Sequence, residues 1–539
     1  MSWNFGDIFD AVEEVVPGDR PAVIRGERTL SWAELKRRSN NLAAQLRARG
    51  ARPDDKVAFY MRNLAEYPEA LVACLKARLV HVNINYRYQD SELHYILDNS
   101  DSRFVFYAGE FAEPVAKLRG RLPEVATYIQ VDDGSPPAPF AEAYDDLANE
   151  GSGEPLGIER SPDDLLFLYT GGTTGMPKGV MWRGGDLWDA MRRGGNILNR
   201  NAWPESLEEH CENVRRAQTG MRQLPACPIM HGTGLFTSMG TLAGGGSVVT
   251  LASPHFDAHE LWSAVARHRV QSIVIVGDAF AKPMLQALNE RPGAYDLSAL
   301  VMIVSSGVMW SPEVKRGLLE HHSGLVLVDA FGSSEAIGFG TSVTTARGES
   351  RSARFQIGES CKVFSEDGRE IQPGSDEPGY VARAGPIPIG YYKDPEKSAQ
   401  TFRTIDGVRY SMPGDWCKVE KDGTLTLLGR GSVCINSAGE KIYPEEVEEA
   451  LKTHPDVEDA VVVGVPDDRW GQSVTGVVEL RAGAVFDAEA LRRHVGLELA
   501  GFKVPKRVLD VDSIGRAVNG KADYVGIRDL AMQRLNLAD

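Results

Sequence analysis

From about residue 20 to about residue 330 the chain alternates helical segments with short apolar runs, and such runs read as strands covered on both faces. Residues 165–169, 272–276, 300–304 and 325–328 are runs of this kind, each bounded by polar or glycine residues. Val57-Ala58-Phe59-Tyr60-Met61 is another, followed by a helix carrying Leu71, Leu75 and Ala77. Upstream, Ser31-Trp32-Ala33-Glu34 has the form of a capping box, with Leu35, Leu42 and Leu46 on one helical face and Gly50 closing the helix. The alternation predicts a layered α/β architecture with largely parallel sheets.

The pattern changes near residue 357. Short strands separated by Asp367-Gly368, Asp406-Gly407 and Asp422-Gly423 predict a β-rich subdomain of hairpins. Residues 430–539 contain a helix over 444–454 with glutamates in its first turn and a strand over 459–465, which reads as a small α+β domain. With 539 residues the chain exceeds a single core. The expected division is 1–429, a large domain of layered α/β subdomains plus the β-rich subdomain, and 430–539, a small mobile α+β domain.

A formal net charge of -16 argues against nucleic acid and anionic membrane surfaces, which require basic patches. The N-terminus lacks the basic and apolar regions of a secretory signal, and no apolar run is long enough to span a bilayer. Cys74, Cys211, Cys227, Cys361, Cys417 and Cys434 are scattered without a CxxC pair, so small buried hydrophobes in a reducing cytoplasm are expected.

After the apolar run 165–169 comes Thr170-Gly171-Gly172-Thr173-Thr174-Gly175-Met176-Pro177-Lys178-Gly179. Such a loop offers backbone N–H groups and hydroxyls to polyphosphate oxygens, and Lys178 adds positive charge. Pro177 before Lys178 and Gly179 after it break the Walker A pattern, and the Rossmann glycine spacing is absent too. A purely structural glycine turn is the plain alternative.

The string resembles the phosphate-loop signature of the adenylate-forming superfamily: acyl-CoA synthetases, aryl-CoA ligases, luciferases and peptide-synthetase adenylation domains. The resemblance continues in order along nearly the whole chain. It implies ATP, Mg²⁺ and coenzyme A as cofactor and co-substrates, with a small-molecule carboxylic acid as partner. In Pro228-Ile229-Met230-His231-Gly232, His231 would sit beside the acyl carboxylate. Ser306 and Gly307 resemble the segment that packs on adenine. Asp329-Ala330-Phe331-Gly332-Ser333-Ser334-Glu335 resembles the next motif, with Phe331 stacking on adenine and Glu335, beside Thr173, holding Mg²⁺. Asp415 of Pro413-Gly414-Asp415-Trp416 would accept from both ribose hydroxyls, with Arg430 in support. Ser432 would be the hinge, and Ser437, Ala438 and Gly439 would approach the CoA thiol arm. Lys521, ending Arg516-Ala517-Val518-Asn519-Gly520-Lys521, would reach the acyl carboxylate and the α-phosphate.

The resemblance thus implies two steps. The carboxylate attacks the α-phosphate, and a cationic clamp that includes Lys178 and Lys521 offsets the repulsion between the two anions. The C-terminal domain then swings about Ser432 and the CoA thiol takes the acyl group. The acyl pocket is expected from His231, Met239, Gly277, Asp278, Phe280 and Met309, an apolar lining suited to a bulky acid. Asp278 is an odd charge there and keeps an amino-acid substrate in view. Gly171, Ser432 and Asn436 depart from the general pattern but match acyl-CoA synthetases of steroid side-chain breakdown, as do Met181-Trp182-Arg183 and Phe402-Arg403-Thr404-Ile405. Bulky polycyclic acids come first, fatty acids second. Residues 196–222 form either a lid or a solvated insertion. Handover to another acceptor and an inactive ATP-binding protein are the rival readings. No carrier-protein domain follows in the sequence, which favours free CoA, and a homodimer stays open.

Overall fold

The structure, a computed structural model, describes residues 3–88, 90–170, 176–194, 204–308, 310–348, 354–358, 360–430, 433, 435–437, 440–467, 471–499, 501–517, 520 and 522–537. The chain divides into two compact units. One comprises Met1–Ser352, Gly358–Ser360 and Arg383–Ser411, the other Ala353–Ile357, Cys361–Ala382 and Met412–Asp539.

Among its described residues the first unit carries two largely parallel arrays of strands. In one, strands Val80–Asn83, Lys56–Tyr60, Ser102–Ala108 and Thr127–Val131 run parallel, and Leu165–Thr170 pairs parallel to Val80–Asn83. Lys178–Arg183 then returns antiparallel to Leu165–Thr170, with the loop at the hairpin's end. In the other, Pro21–Arg25, Ser247–Thr250, Arg222–Pro225, Ser272–Ile275, Met302–Ser306 and Val326–Ser333 lie in that spatial order, all parallel. The fully buried patterns of Val80–Asn83, Ser247–Thr250 and Ser272–Ile275 explain why these strands show no alternation in the sequence.

Local signals did what their chemistry requires. Ser31 Oγ accepts from Glu34 N at 3.2 Å while Glu34 Oε2 accepts from Ser31 N at 2.9 Å, closing the capping box of helix Trp32–Ala48. Leu35, Leu42 and Leu46 are fully buried, worth about 1.5–3 kcal/mol each. At Asp406-Gly407 both residues adopt positive φ (49° and 78°), the tight turn that joins strands Phe402–Ile405 and Val408–Ser411. Some strand ends differ from expectation. The run 300–304 becomes Met302–Ser306, and 325–328 becomes Val326–Ser333 because Ala336–Thr344 folds back and pairs with it as far as Ser333.

In the second unit, Asp415–Val419 and Leu425–Arg430 form a hairpin across the Asp422-Gly423 turn, and Arg354–Ile357 pairs with Leu425–Arg430. The α+β part has strands Glu440–Ile442, Ile435–Ser437, Gly471–Leu480 and Val457–Asp467 in sheet order, with Arg507–Val511 parallel to Gly471–Leu480. Helix Pro444–Lys452 packs there, its Val447, Ala450 and Leu451 buried in one cluster with Val462 and Val478.

Helix Leu207–Arg216 accounts for part of the 196–222 stretch. It buries His210, Cys211 and Val214, and His210 Nε2 donates to the Ala243 carbonyl at 2.8 Å. Residues 195–203 lie outside the described residues. Cys74, Cys211, Cys227, Cys361 and Cys417 are free thiols, and all but the half-buried Cys361 are buried. Among the described residues no helix is long and apolar enough to cross a membrane.

Candidate active site

Thr170 and Lys178, the residues that flank the Gly/Thr-rich segment in the sequence, stand opposite one another in one antiparallel strand pair. Gly171, Gly172, Thr173, Thr174 and Gly175 lie outside the described residues. Lys178 Nζ is 2.9 Å from Asp394 Oδ2 and 5.7 Å from the Tyr391 ring centre. Burial pulls the Asp394 carboxyl up, but the hydrogen bond from Lys178 and the Lys397 amide outweigh it and hold Asp394 below the usual carboxylate range. Asp394 also caps helix Pro395–Thr401, accepting from Lys397 N at 2.9 Å.

Glu335 sits at the turn between Val326–Ser333 and Ala336–Thr344 and is buried. Its Oε1 accepts from Tyr391 Oη at 2.8 Å, its carbonyl from Ser411 Oγ at 2.7 Å, and its amide donates to Ser333 Oγ at 3.2 Å. The buried Trp182 fixes the preceding residue, donating from Nε1 to the Ser334 carbonyl at 3.0 Å. One tyrosine therefore touches both the loop lysine and the acid expected to hold the metal. A buried, acceptor-only carboxylate with one oxygen already oriented suits a hard divalent cation. Nothing in the sequence pointed to Tyr391 or Asp394. They come from strand Gly390–Tyr391 and the residues after it, brought in by pairing with Lys178–Arg183.

The strands expected to flank adenine are neighbours: Ser305 pairs with Asp329 and Ser306 with Ala330. Gly307 has φ +92°, which favours glycine. Phe331 is buried and tilted against Phe339 at 5.2 Å. The buried Asp329 is matched by Lys315 Nζ at 2.5 Å; burial raises its carboxyl and Lys315 offsets only part of that. Asp278, the odd charge, is engaged: Oδ1 accepts from Ser311 N at 3.0 Å, at the start of helix Pro312–His321. Beside it Gly277 has φ 58° and ψ -155°, a glycine-only conformation, and donates to Ser305 Oγ at 2.9 Å.

His231 is the N-cap residue of helix Gly232–Ala243 and is half-buried. Two asparagines that the sequence reading missed set its approach. Asn83 Nδ2 donates to the carbonyls of Tyr169 and Met230, each at 2.8 Å, and its Oδ1 accepts from Tyr169 N at 2.6 Å. Asn63 Nδ2 donates to the Cys227 carbonyl at 3.0 Å and Oδ1 accepts from Ile229 N at 2.8 Å. The loop strand and the His231 turn are thus tied together by side-chain amides. An asparagine ending a buried strand, as Asn83 does, was the available signal. Of the expected acyl-pocket residues, Met239 and Phe280 belong to different apolar clusters, Phe280 packing edge-on against Phe256. Met309 lies outside the described residues.

In the second unit Asp415 is buried and stands opposite Arg430 in the hairpin register. Gly429 has φ +112°, and a Cβ there would overlap the Glu445 carboxylate, so glycine is required on both counts. Trp416 packs on Tyr380 and Tyr443 at 4.4 and 5.6 Å, fixing the residue after Asp415. Ser437 is buried at the end of strand Ile435–Ser437. Ser432, Ala438, Gly439 and Lys521 lie outside the described residues.

Comparison with known proteins shows the family. The family model for AMP-binding enzymes matches residues 9–392, and the model for their C-terminal domain matches 446–521. A 3-oxocholest-4-en-26-oate–CoA ligase of Rhodococcus rhodochrous is 42% identical over 98% of this chain and 96% of its own length. A medium/long-chain-fatty-acid–CoA/3-oxocholest-4-en-26-oate–CoA ligase of Mycobacterium tuberculosis is likewise 42% identical, over 97% and 95%. Among solved structures, an anthranilate CoA ligase in complex with anthranoyl-AMP superposes with a TM-score of 0.84 at 20% identity, covering 99% of this chain and 98% of that one. The chain belongs to the AMP-binding enzyme family and is an acid–thiol ligase.

Proposed function

We propose that the acid is bulky and hydrophobic, a steroid side-chain acid first and a medium- to long-chain fatty acid second. The observation that carries this reading is the likeness, over nearly the full length, to relatives whose names specify those acids. The acid is adenylated by ATP with release of pyrophosphate, and the acyl group then passes to the CoA thiol with release of AMP.

The residues divide the labour as follows. Lys178 meets the departing phosphates, and Glu335, oriented by Tyr391, would hold Mg²⁺ together with Thr173. When bound there, such an ion would supply positive charge against the triphosphate. Ser306, Gly307 and residues 329–334 form the adenine wall. Asp415 and Arg430 take the ribose. His231 orients the acyl carboxylate, and Lys521 draws carboxylate and α-phosphate together. Residues 1–429 form the ATP and acyl domain and 430–539 the mobile domain, which turns about Ser432 to present Ser437, Ala438 and Gly439 to CoA. The cytoplasm, where ATP and CoA are both available, is the place of action.

The engagement of Asp278 by Ser311 supports this choice over an amino acid, because a carboxylate already accepting from an amide is a poorer partner for a substrate amine. The test measures pyrophosphate release and thioester formation over a panel of steroid, fatty, aromatic and amino acids, with and without CoA. Acyl-CoA should form most readily from polycyclic or long-chain acids. Preference for an amino acid, or turnover without any acid, would overturn the assignment.

A further inference from the structure

Strands Lys56–Tyr60 and Val80–Asn83 lie side by side, and an asparagine at or shortly beyond the end of each reaches the turn that follows Arg222–Pro225 in the other array. Asn63 grips that turn, donating to the Pro225 and Cys227 carbonyls at 3.4 and 3.0 Å and accepting from Ile229 N at 2.8 Å. Asn83 grips the turn and a strand together. Its Nδ2 donates to the Met230 carbonyl, one residue before His231, and to the Tyr169 carbonyl, each at 2.8 Å, while Oδ1 accepts from Tyr169 N at 2.6 Å. Asn83 is only 3% exposed, so solvent does not replace a lost partner. Tyr169 in turn stands opposite Gly179, next to Lys178, in the antiparallel pair. Its ring covers Gly179, where a Cβ would come within 2.8 Å of it, and its hydroxyl donates to Asn99 Oδ1 at 2.7 Å. The turn also lies directly on this strand, since a Cβ at Gly232 would be 3.1 Å from Leu168 Cδ2.

We propose that Asn83 is a positioning residue for the adenylation step. It fixes the backbone before His231 against the strand paired with Lys178, and so sets the separation at which acid and ATP are presented to one another. Asn83 acts in this way on the reading that His231 meets the acyl carboxylate and Lys178 the phosphates. A primary amide suits the task because one planar group supplies two N–H donors, aimed at carbonyls of two segments, and an acceptor beside them. Aspartate would set a carboxylate oxygen against both carbonyls, and leucine would leave two carbonyls and an N–H unpaired. A residue that governs the relative placement of two reactants, rather than the binding of either, shows in kcat and not in KM.

The test uses full-length Asn83→Leu, Asn83→Gln and Asn63→Leu, with a long-chain fatty acid as the probe. Each is assayed for ATP–pyrophosphate exchange, for thioester formation from supplied acyl-adenylate and CoA, and for thermal midpoint. Asn83→Gln keeps the amide but displaces it by a methylene, and it carries the test if the leucine variant does not fold. Both Asn83 variants should lower the exchange kcat on the order of 10- to 100-fold, with KM for ATP and acid within about threefold. Thioester formation, in which acid and phosphate are already joined, should stay within about twofold. Asn63→Leu loosens the same turn without touching Tyr169 and should lower exchange far less at a similar loss of thermal midpoint. Unchanged exchange in the folded Asn83 variants overturns the role, and so does an equal loss in Asn63→Leu, which would make the integrity of the turn the cause. A loss spread evenly over both half-reactions, or failure of both Asn83 variants to fold, also overturns it by making the amide structural. Lys178→Ala and His231→Ala test the underlying reading separately. If either leaves exchange intact, the assignment of that residue fails, and the role of Asn83 falls with it.

Discussion

Asp394→Asn removes a negative charge 2.9 Å from Lys178 Nζ but keeps a side-chain oxygen to cap the Lys397 amide. If Lys178 binds the phosphates of ATP, Asp394 competes for it, and releasing the lysine should tighten ATP binding. In bulk water two unit charges at that 2.9 Å separation attract by about 1.4 kcal/mol. Both side chains are about a quarter to a third exposed, so entropy and screening reduce the net pair to about 0.5–1 kcal/mol. The KM for ATP should therefore fall about two- to fivefold at low ionic strength, with kcat nearly unchanged. The assay is pyrophosphate release against ATP concentration at low and high salt, and the difference between the two proteins should shrink as salt rises. Asp101→Asn serves as the control. It removes a neighbouring charge that pairs with Lys393 rather than with the loop lysine, and its effect should be smaller. A KM that rises in Asp394→Asn would refute the competition, because it would mean that Asp394 aims Lys178 rather than distracts it.

Three further predictions follow from buried groups. His81 donates from Nδ1 to the Phe167 carbonyl at 3.2 Å and accepts at Nε2 from Tyr67 Oη at 2.9 Å, and burial pushes its pKa down to about 3. The unfolded chain binds that proton near pH 6.5 and the folded one does not, so stability falls with pH below 6.5, by about 2 kcal/mol at pH 5. His81→Asn should flatten this limb in urea unfolding at pH 7.5 and 5, and an unchanged slope would remove His81 as the cause. Lys76, fully buried, pairs with Glu13 at 2.6 Å and donates to Asn40 Oδ1 at 2.8 Å. Lys76→Met should cost about 3–5 kcal/mol by stranding the carboxylate, and adding Glu13→Gln should recover most of it. A double variant no more stable than the single one would show that the cost lies in packing. Gly277→Ala should cost about 1–3 kcal/mol because of its backbone conformation and should raise the KM for the acid by shifting Ser305 and Asp278. An unaffected KM would place that turn outside the acyl site.

Much of the fold was legible because its signals are short-range. The capping box at Ser31, the Asp406-Gly407 turn and the apolar strand runs depend on residues within one turn or one strand, where backbone geometry alone selects the conformation. The motifs named Lys178, Glu335 and Asp415 as candidates as well, because each lies beside a glycine-containing turn whose backbone need is written into the string. Strand ends were less legible. Val326–Ser333 outran its apolar run because a partner strand, not its own composition, set its length.

The sequence by itself determined that this chain is an α/β acid–thiol ligase of the AMP-binding enzymes, and its motifs named a Gly/Thr-rich loop, an acid beyond it and a lysine near the end as candidates. Only the tertiary structure decided which side chains those groups meet. Tyr391 joins Lys178 to Glu335, and Asn83 ties the loop strand to the His231 turn. These partners come from strands distant along the chain, and they meet because sheet order and register place them side by side. A hydrogen bond between remote residues leaves no period and no spacing in the sequence, whereas a phosphate loop must carry its glycines in place.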